Sequence, residues 1–134
     1  YYAGQLDKKG YLYGTHFAPH DIQVRELSSG KSRYEIASNL GIRFTTLPAS
    51  NVQDGINAAR MLISRMWFDK DRCATGLDAI RQYREKIDDK RGISLGPLHD
   101  WSSHGADAFR YLAMGFNEQM PEKKRQSVVL NWMG

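Results

Sequence analysis

One cysteine, Cys73, stands in a chain of 134 residues. That excludes an internal disulfide framework and fits a reducing compartment. Its neighbours Asp71, Arg72 and Ala74 read as the first turn of a helix, so Cys73 is expected as a small core residue rather than a reactive thiol. No apolar run approaches the ~20 residues that span a bilayer, so no membrane partner is expected. The opening stretch Tyr1-Tyr2-Ala3-Gly4-Gln5 has neither the basic flank nor the apolar core of a secretory signal. It also lacks a starting methionine, and the chain is expected to be a fragment of a longer one. Repeats and low-complexity segments are missing too.

What is present suits one folded domain over 1–134, with 115–134 as a C-terminal tail to which no structure is assigned. Hydrophobic residues make up 41% and charged residues 25%, enough for a core without the bias of a disordered chain. The formal net charge of +4 favours an anionic partner.

Tyr11 to Ala18, rich in aromatics and stopped by Pro19, reads as a strand. Ile22 to Gly30 reads as a loop. Ser32 caps a short helix, Arg33 to Leu40, which Gly41 ends. Ile42 to Leu47 alternates, is β-branched and is closed by Pro48, which predicts a second strand. Asn51 or Asp54 starts a helix carrying Ile56, Ala59, Leu62, Ile63 and Met66 at helical spacing. Trp67-Phe68 is a short strand or a tight connection. From Asp69 or Asp71 a long amphipathic helix is expected to about Ile87, with Leu77, Ile80 and Tyr83 inward, and then a polar loop from Asp88 to Pro97. Ser102 or Ser103 caps a last helix through Met114; Pro121 to Gly134 carries no assignable pattern. Strands alternating with helices predict an α/β fold with some parallel sheet. Two or three strands make a small sheet, which suggests missing strands on the N-terminal side.

Three clusters carry chemistry. Pro19-His20-Asp21 comes directly after the first strand, and the C-terminal ends of parallel strands are where catalytic groups gather. Asp21 there suits a metal ion; the alternative is an ordinary turn cap. In His99-Asp100-Trp101-Ser102-Ser103-His104-Gly105-Ala106-Asp107, His104 and Asp107 lie one helical turn apart and reach a shared ion. Ala108, Leu112 and Ala113 are expected to pack on the sheet, which sets Asp107 beside a buried face, where a charge needs a partner. That partner is a metal or a basic residue such as Arg110. The third cluster sets Arg25, Lys31 and Arg33 on a loop before a helix, an arrangement suited to phosphate. Gly30-Lys31-Ser32 imitates the end of a P-loop, but Arg25 stands where that motif needs glycine, so nucleotide binding is rejected. Tyr34 to Ile42 imitates half of a helix-turn-helix, but the strand-like, proline-stopped Phe44 to Pro48 comes next instead of a second helix.

Taken in order and spacing, Pro19-His20-Asp21 with Arg25-Glu26, Gly30-Lys31-Ser32-Arg33, Val52 to Arg60, and His99 to Tyr111 resemble the nuclease domain of the large terminase subunit of tailed phages and prophages. The resemblance covers about Tyr11 to Ala113. It implies an RNase H-like fold, here lacking its N-terminal strands, and a cutter of concatemeric viral DNA with little sequence preference. Two ions, Mg²⁺ or Mn²⁺, are implied as cofactors. The second carboxylate of the family's acidic cluster maps onto Asp21 and the last onto Asp107, with His104 beside it as a ligand or water-orienting group. The first carboxylate lies on an earlier strand that this sequence does not contain. Asp54 and Asp100 do not match it, and Asp54 reads as a helix cap. A site short of one carboxylate is expected to bind its ions weakly, so this chain alone is expected to be feeble or inactive. Double-stranded DNA is the implied partner, held through its backbone by Arg25, Lys31 and Arg33. The portal and the small terminase subunit are implied too, in the cytoplasm of a bacterial host. An open sheet edge invites self-association.

Two other readings stay open. Another RNase H-like nuclease, such as a junction resolvase, would prefer branched DNA. A non-catalytic DNA-holding or motor-docking module would bind DNA without needing Asp21 or Asp107 and would weaken steeply with salt.

Overall fold

The computed structural model describes residues 1–118. The segment Pro121 to Gly134, to which the sequence assigns no element, lies outside the described residues. The chain divides into two compact units, Tyr1–Asp54 and Gly55 onward. It is mixed α/β, with helices and two small two-stranded sheets. No helix among the described residues is long and apolar enough to cross a membrane.

The first unit opens on a helix that the sequence does not predict, α1 (Tyr2–Lys8), tied to the chain ahead by Tyr13 Oη donating to the Leu6 carbonyl at 2.8 Å. The two expected strands form, each shorter than its hydrophobic run: β1 is His16–Ala18 and β2 is Phe44–Thr46. They pair in parallel, His16 against Phe44 and Ala18 against Thr46. The buried hydrophobic side chains of this unit, Ala18 and Leu47, lie at the C-terminal ends of this pair, where Leu47 N–H donates to the Ala18 carbonyl at 2.9 Å.

Between the strands lies α2 (Arg33–Asn39). Ser32 caps it as expected, in a reciprocal capping box: Ser32 Oγ accepts from Glu35 N–H and Glu35 Oε2 accepts from Ser32 N–H. Gly41, at φ +83°, turns the chain out of the helix toward β2, a conformation that side chains resist.

α3 (Val52–Ile63), most of which belongs to the second unit, is capped by Asn51, whose Oδ1 accepts from Asp54 N–H at 2.8 Å. Asp54 is therefore not the cap; it is the residue being capped. Trp67-Phe68 is a connection, not a strand. The long helix expected to run to Ile87 is α4 (Ala74–Gln82), and it stops at Tyr83, whose backbone is extended. A hairpin then takes the place of the expected polar loop: β3 (Glu85–Asp88) and β4 (Ile93–Pro97) run antiparallel, with Asp88 against Ile93. The turn is built by Asp88, whose Oδ1 accepts from Lys90 and Arg91 N–H, and by Gly92 at φ +64°.

The last helix, α5, runs Trp101–Glu118, four residues past the expected end. Its cap is Asp100 rather than Ser102 or Ser103: Asp100 Oδ1 accepts from Ser102 N–H at 2.9 Å, and both serine hydroxyls turn back onto Asp100. Its neighbour is α4, not a sheet. Gly105 makes this approach possible, because a Cβ there would stand 2.8 Å from Ala79 Cβ. The inward face carries Ser102, Ser103, Arg110 and Ala113, while Ala108 and Leu112, expected on that face, are exposed. Phe68 meets Phe109 at 6.1 Å between ring centroids. Leu77, Ile80 and Tyr83 are half-buried, as is Cys73 just before α4.

Candidate functional site

Asp21 is reached from β1 by way of Pro19 and lies within a single 3-10 turn, His20–Gln23. Its carboxylate thus sits just beyond the C-terminal end of a strand in a parallel pair, as the sequence predicts, and it is exposed. The chain then folds back on itself. An antiparallel bridge joins Arg25 to Ser32, Glu26 N–H donates to the Lys31 carbonyl at 3.0 Å, and Gly30 at φ +65° closes the loop.

This folding-back brings Asp21, Arg25 and Arg33 onto one recess of about 530 Å³, lined also by Pro19, Ile22, Val24 and Glu26. Arg33 Nε donates to Glu26 Oε1 at 2.9 Å, so one of the three expected phosphate-holding cations is already engaged. That pair is exposed and weak. Lys31 lines a separate recess with Tyr34, Glu35 and Ser38. The Ser32 N–H, aided by the charges of Arg25 and Lys31, holds the Glu35 carboxyl below its ordinary range. A larger recess of the first unit, about 730 Å³, is lined by α1, Tyr11, Tyr13 and His16 and includes none of the candidate residues.

The other candidates lie on α5 in the second unit. His104 is exposed, and Asp107 is one turn further on with its side chain 35% exposed. The residue that binds Asp107 is Arg110: its Nη2 donates to Asp107 Oδ1 at 3.1 Å while the arginine side chain is only 9% exposed. This is the basic partner that the spacing allowed as the alternative to a metal. The Arg110 guanidinium also stands 4.8 Å from the centre of the Tyr111 ring. Two buried polar atoms of this unit, Arg110 Nε and Tyr83 Oη, have no hydrogen-bond partner. Burial, and then the Asp107 charge, push the Tyr83 hydroxyl above its ordinary pKa.

Gly55 was not foreseen as part of this arrangement. It is buried on α3, and the Arg110 stem crosses the space a side chain would fill. A glycine near the start of a helix was its one signal in the sequence, since glycine there weakens the helix without an evident turn to make.

Carboxylate and imidazole are donor types that hard divalent ions accept. Mg²⁺ takes one or two carboxylates and completes its shell with water and substrate phosphate, and an imidazole beside a carboxylate widens the choice to Mn²⁺. Asp21 and Asp107 each offer a carboxylate within reach of solvent. Among the described residues no three His, Cys, Asp or Glu side chains gather into one group, so neither carboxylate has a protein cage around it. Comparison with protein-family profiles, with curated proteins and with solved structures finds no match to this chain.

Proposed function

We propose that this chain is part of a metal-dependent DNA endonuclease, the nuclease domain of a phage packaging terminase with an RNase H-like fold. The observation that carries this reading is the position of Asp21: a carboxylate just past the C-terminal end of a strand in a parallel pair, on the same recess as Arg25 and Arg33. The order of the sequence motifs from Pro19 to Tyr111 supports it further.

In this reading Asp21 holds a divalent ion in the first unit, and Asp107 with His104 holds one in the second. Bound Mg²⁺ or Mn²⁺ supplies an acidified water and stabilises the leaving oxygen of the phosphodiester. Arg25, Lys31 and Arg33 hold the DNA backbone through charge and carry no base readout, which suits cutting with little sequence preference. His104, exposed one turn before Asp107, is a ligand to that ion or orients the attacking water.

The test is nicking of supercoiled plasmid in Mn²⁺ by the chain and by Asp21→Ala and Asp107→Ala. The reading expects slow, metal-dependent nicking that both substitutions abolish. Metal-dependent nicking at undiminished rate in both variants, or nicking that needs no metal, refutes it.

The Asp107–Arg110 pair favours a second reading, a DNA-holding module without catalysis. It expects duplex binding that falls steeply with salt and is indifferent to Asp21→Ala and Asp107→Ala.

A further inference from the structure

Two polar atoms of the second unit are sealed from water without a hydrogen-bond partner, Arg110 Nε and Tyr83 Oη. Such atoms are uncommon in folded chains, because each leaves its desolvation uncompensated. Both residues line one recess of about 240 Å³, together with Arg60, Ile56, Ile80 and Phe109. Every residue of that lining belongs to the second unit.

What the recess lacks is chemically one-sided. The Arg110 Nε–H donates and never accepts, and the Tyr83 hydroxyl, which burial keeps protonated, can also donate. The missing partner is therefore an acceptor. Charge narrows it further. Arg110 Nη2 already serves Asp107, but among the described residues no carboxylate pairs with Arg60, which is exposed. One unpaired cation favours a monoanion. The Asp107 charge reaches Tyr83 and counts against a dianion such as phosphate. The remaining wall, with Ile56, Ile80 and Phe109, is apolar and calls for a hydrocarbon body. A cavity of roughly 150 Å³ takes a benzene ring, so the larger recess has room for a ring that carries a carboxylate.

We propose that this recess is a binding site for a small monocarboxylic acid. The carboxylate accepts from Arg110 Nε and Tyr83 Oη under the charge of Arg60, and a single ring or short hydrocarbon chain lies against Ile56, Ile80 and Phe109. Asp107 keeps its hold on Arg110 Nη2, so the ligand adds to that pair instead of replacing it. Such a site needs neither metal nor DNA, and it stands equally in a nuclease and in a DNA-holding module.

The test is titration of the isotope-labelled full chain with benzoate. Proton–nitrogen NMR follows the Arg110 Nε–H and the amides of Ala59 and Ala106, which also line the recess. Benzylamine brings a ring with the opposite charge, and inorganic phosphate brings negative charge without a ring. Benzoate, with about nine non-hydrogen atoms, is expected to bind in the millimolar range and to shift those signals. Tyr83→Phe removes one hydrogen bond and keeps the ring, and it is expected to weaken benzoate about three- to tenfold. Ala59→Leu puts a good helix former into the recess and is expected to abolish binding. Should that variant not fold, Tyr83→Phe alone decides. Affinity for benzylamine or phosphate equal to that for benzoate overturns the ligand class. No shift at about 20 mM benzoate, shifts confined to other residues, or full affinity in either variant overturns the site.

Discussion

Asp107 and Arg110 lie one helical turn apart on α5, and the carboxylate accepts from the guanidinium at 3.1 Å while the arginine stem fills the space above Gly55. The relationship is unequal. Asp107 keeps contact with water, whereas Arg110 is almost wholly buried and depends on Asp107 for its charge partner. Removing Asp107 therefore costs more than the pair itself contributes, because it leaves an uncompensated buried cation. Asp107→Ala is expected to destabilise the metal-free chain by about 1–3 kcal/mol, less than a wholly buried pair because water reaches the carboxylate. Urea unfolding checks this, and the double variant with Arg110→Met is expected to recover about 1 kcal/mol or more of the loss. Additive losses would show that the two side chains do not act together.

Tyr83 offers the opposite case, a polar group whose removal helps. Its hydroxyl is buried without a partner. Tyr83→Phe keeps the ring and deletes that hydroxyl, with an expected gain of about 1 kcal/mol in thermal or urea unfolding. The pH dependence comes from the raised pKa, which is caused by burial first and the Asp107 charge second. The folded chain holds this proton more firmly than the unfolded chain. Its contribution is thus complete below the ordinary tyrosine pKa of about 10 and is lost as pH rises through the folded value. Wild type should lose stability more steeply than Tyr83→Phe in that alkaline window. Parallel slopes would remove the argument.

The α4–α5 approach rests on two small residues, Gly105 and Ala79. Gly105→Ala gains helix propensity worth about 0.5–1 kcal/mol but drives a methyl into Ala79 Cβ, an overpacking that costs about 1–3 kcal/mol. A net loss in Tm is expected. Ala79→Gly in the same chain clears the space and should recover most of it. If Gly105→Ala raises Tm on its own, the helices separate without cost and the close approach contributes little.

Where local chemistry decides, the sequence was a good guide. Ser32 with Glu35, Gly41, and the β-branched run into Pro48 place α2 and β2 within a residue or two of where they lie, because capping and turn formation depend on neighbours in the chain. The hairpin after Tyr83 was hidden, since the apolar spacing Leu77, Ile80, Tyr83 continues a helical pattern into Ile87 and only Asp88 and Gly92 signal a turn. The buried face of α5 was misjudged for a tertiary reason. Ala108 and Leu112 looked inward on the assumption of a sheet below, but the helix turns Gly105 toward its partner α4 and buries Ala113 instead. At the candidate site, the placement of Asp21 after β1 and the Asp107–Arg110 spacing were both legible. Gly55 was not, because its purpose depends on a side chain 55 positions further on.

Acid should weaken both capped helices. Asp100 is held below its ordinary pKa by the Ser102 hydroxyl and N–H, and Glu35 is held below by the Ser32 N–H. Each binds its proton more readily in the unfolded chain. Their contribution is therefore present above the ordinary carboxylate pKa and is lost as pH falls through the lower, folded value. Asp100→Asn keeps an acceptor for the α5 cap but has no proton to gain, so its unfolding should respond less to acid than wild type does. An unchanged slope below pH about 4 would mean that other carboxylates set the acid limb.

The basic loop gives the last prediction, and it separates cations that are available from one that is engaged. Each phosphate neutralised by a lysine or arginine adds about 0.9 to the slope of log K against log salt on duplex DNA. Lys31→Ala should weaken binding to any duplex alike and lower that slope by about one. Arg33 differs, because it must leave Glu26 before it reaches a phosphate. Glu26→Gln frees it without altering its position on α2 and removes a repelling carboxylate from the recess that Asp21, Arg25 and Arg33 share. Binding is expected to tighten several-fold, by roughly the free energy of one exposed ion pair, about 0.2–1 kcal/mol, plus the repulsion removed. Fluorescence anisotropy on a duplex of arbitrary sequence across a salt series measures both effects. Should Lys31→Ala leave the slope untouched and Glu26→Gln leave the affinity untouched, DNA does not track this loop, and the nuclease reading loses the surface on which it places the backbone.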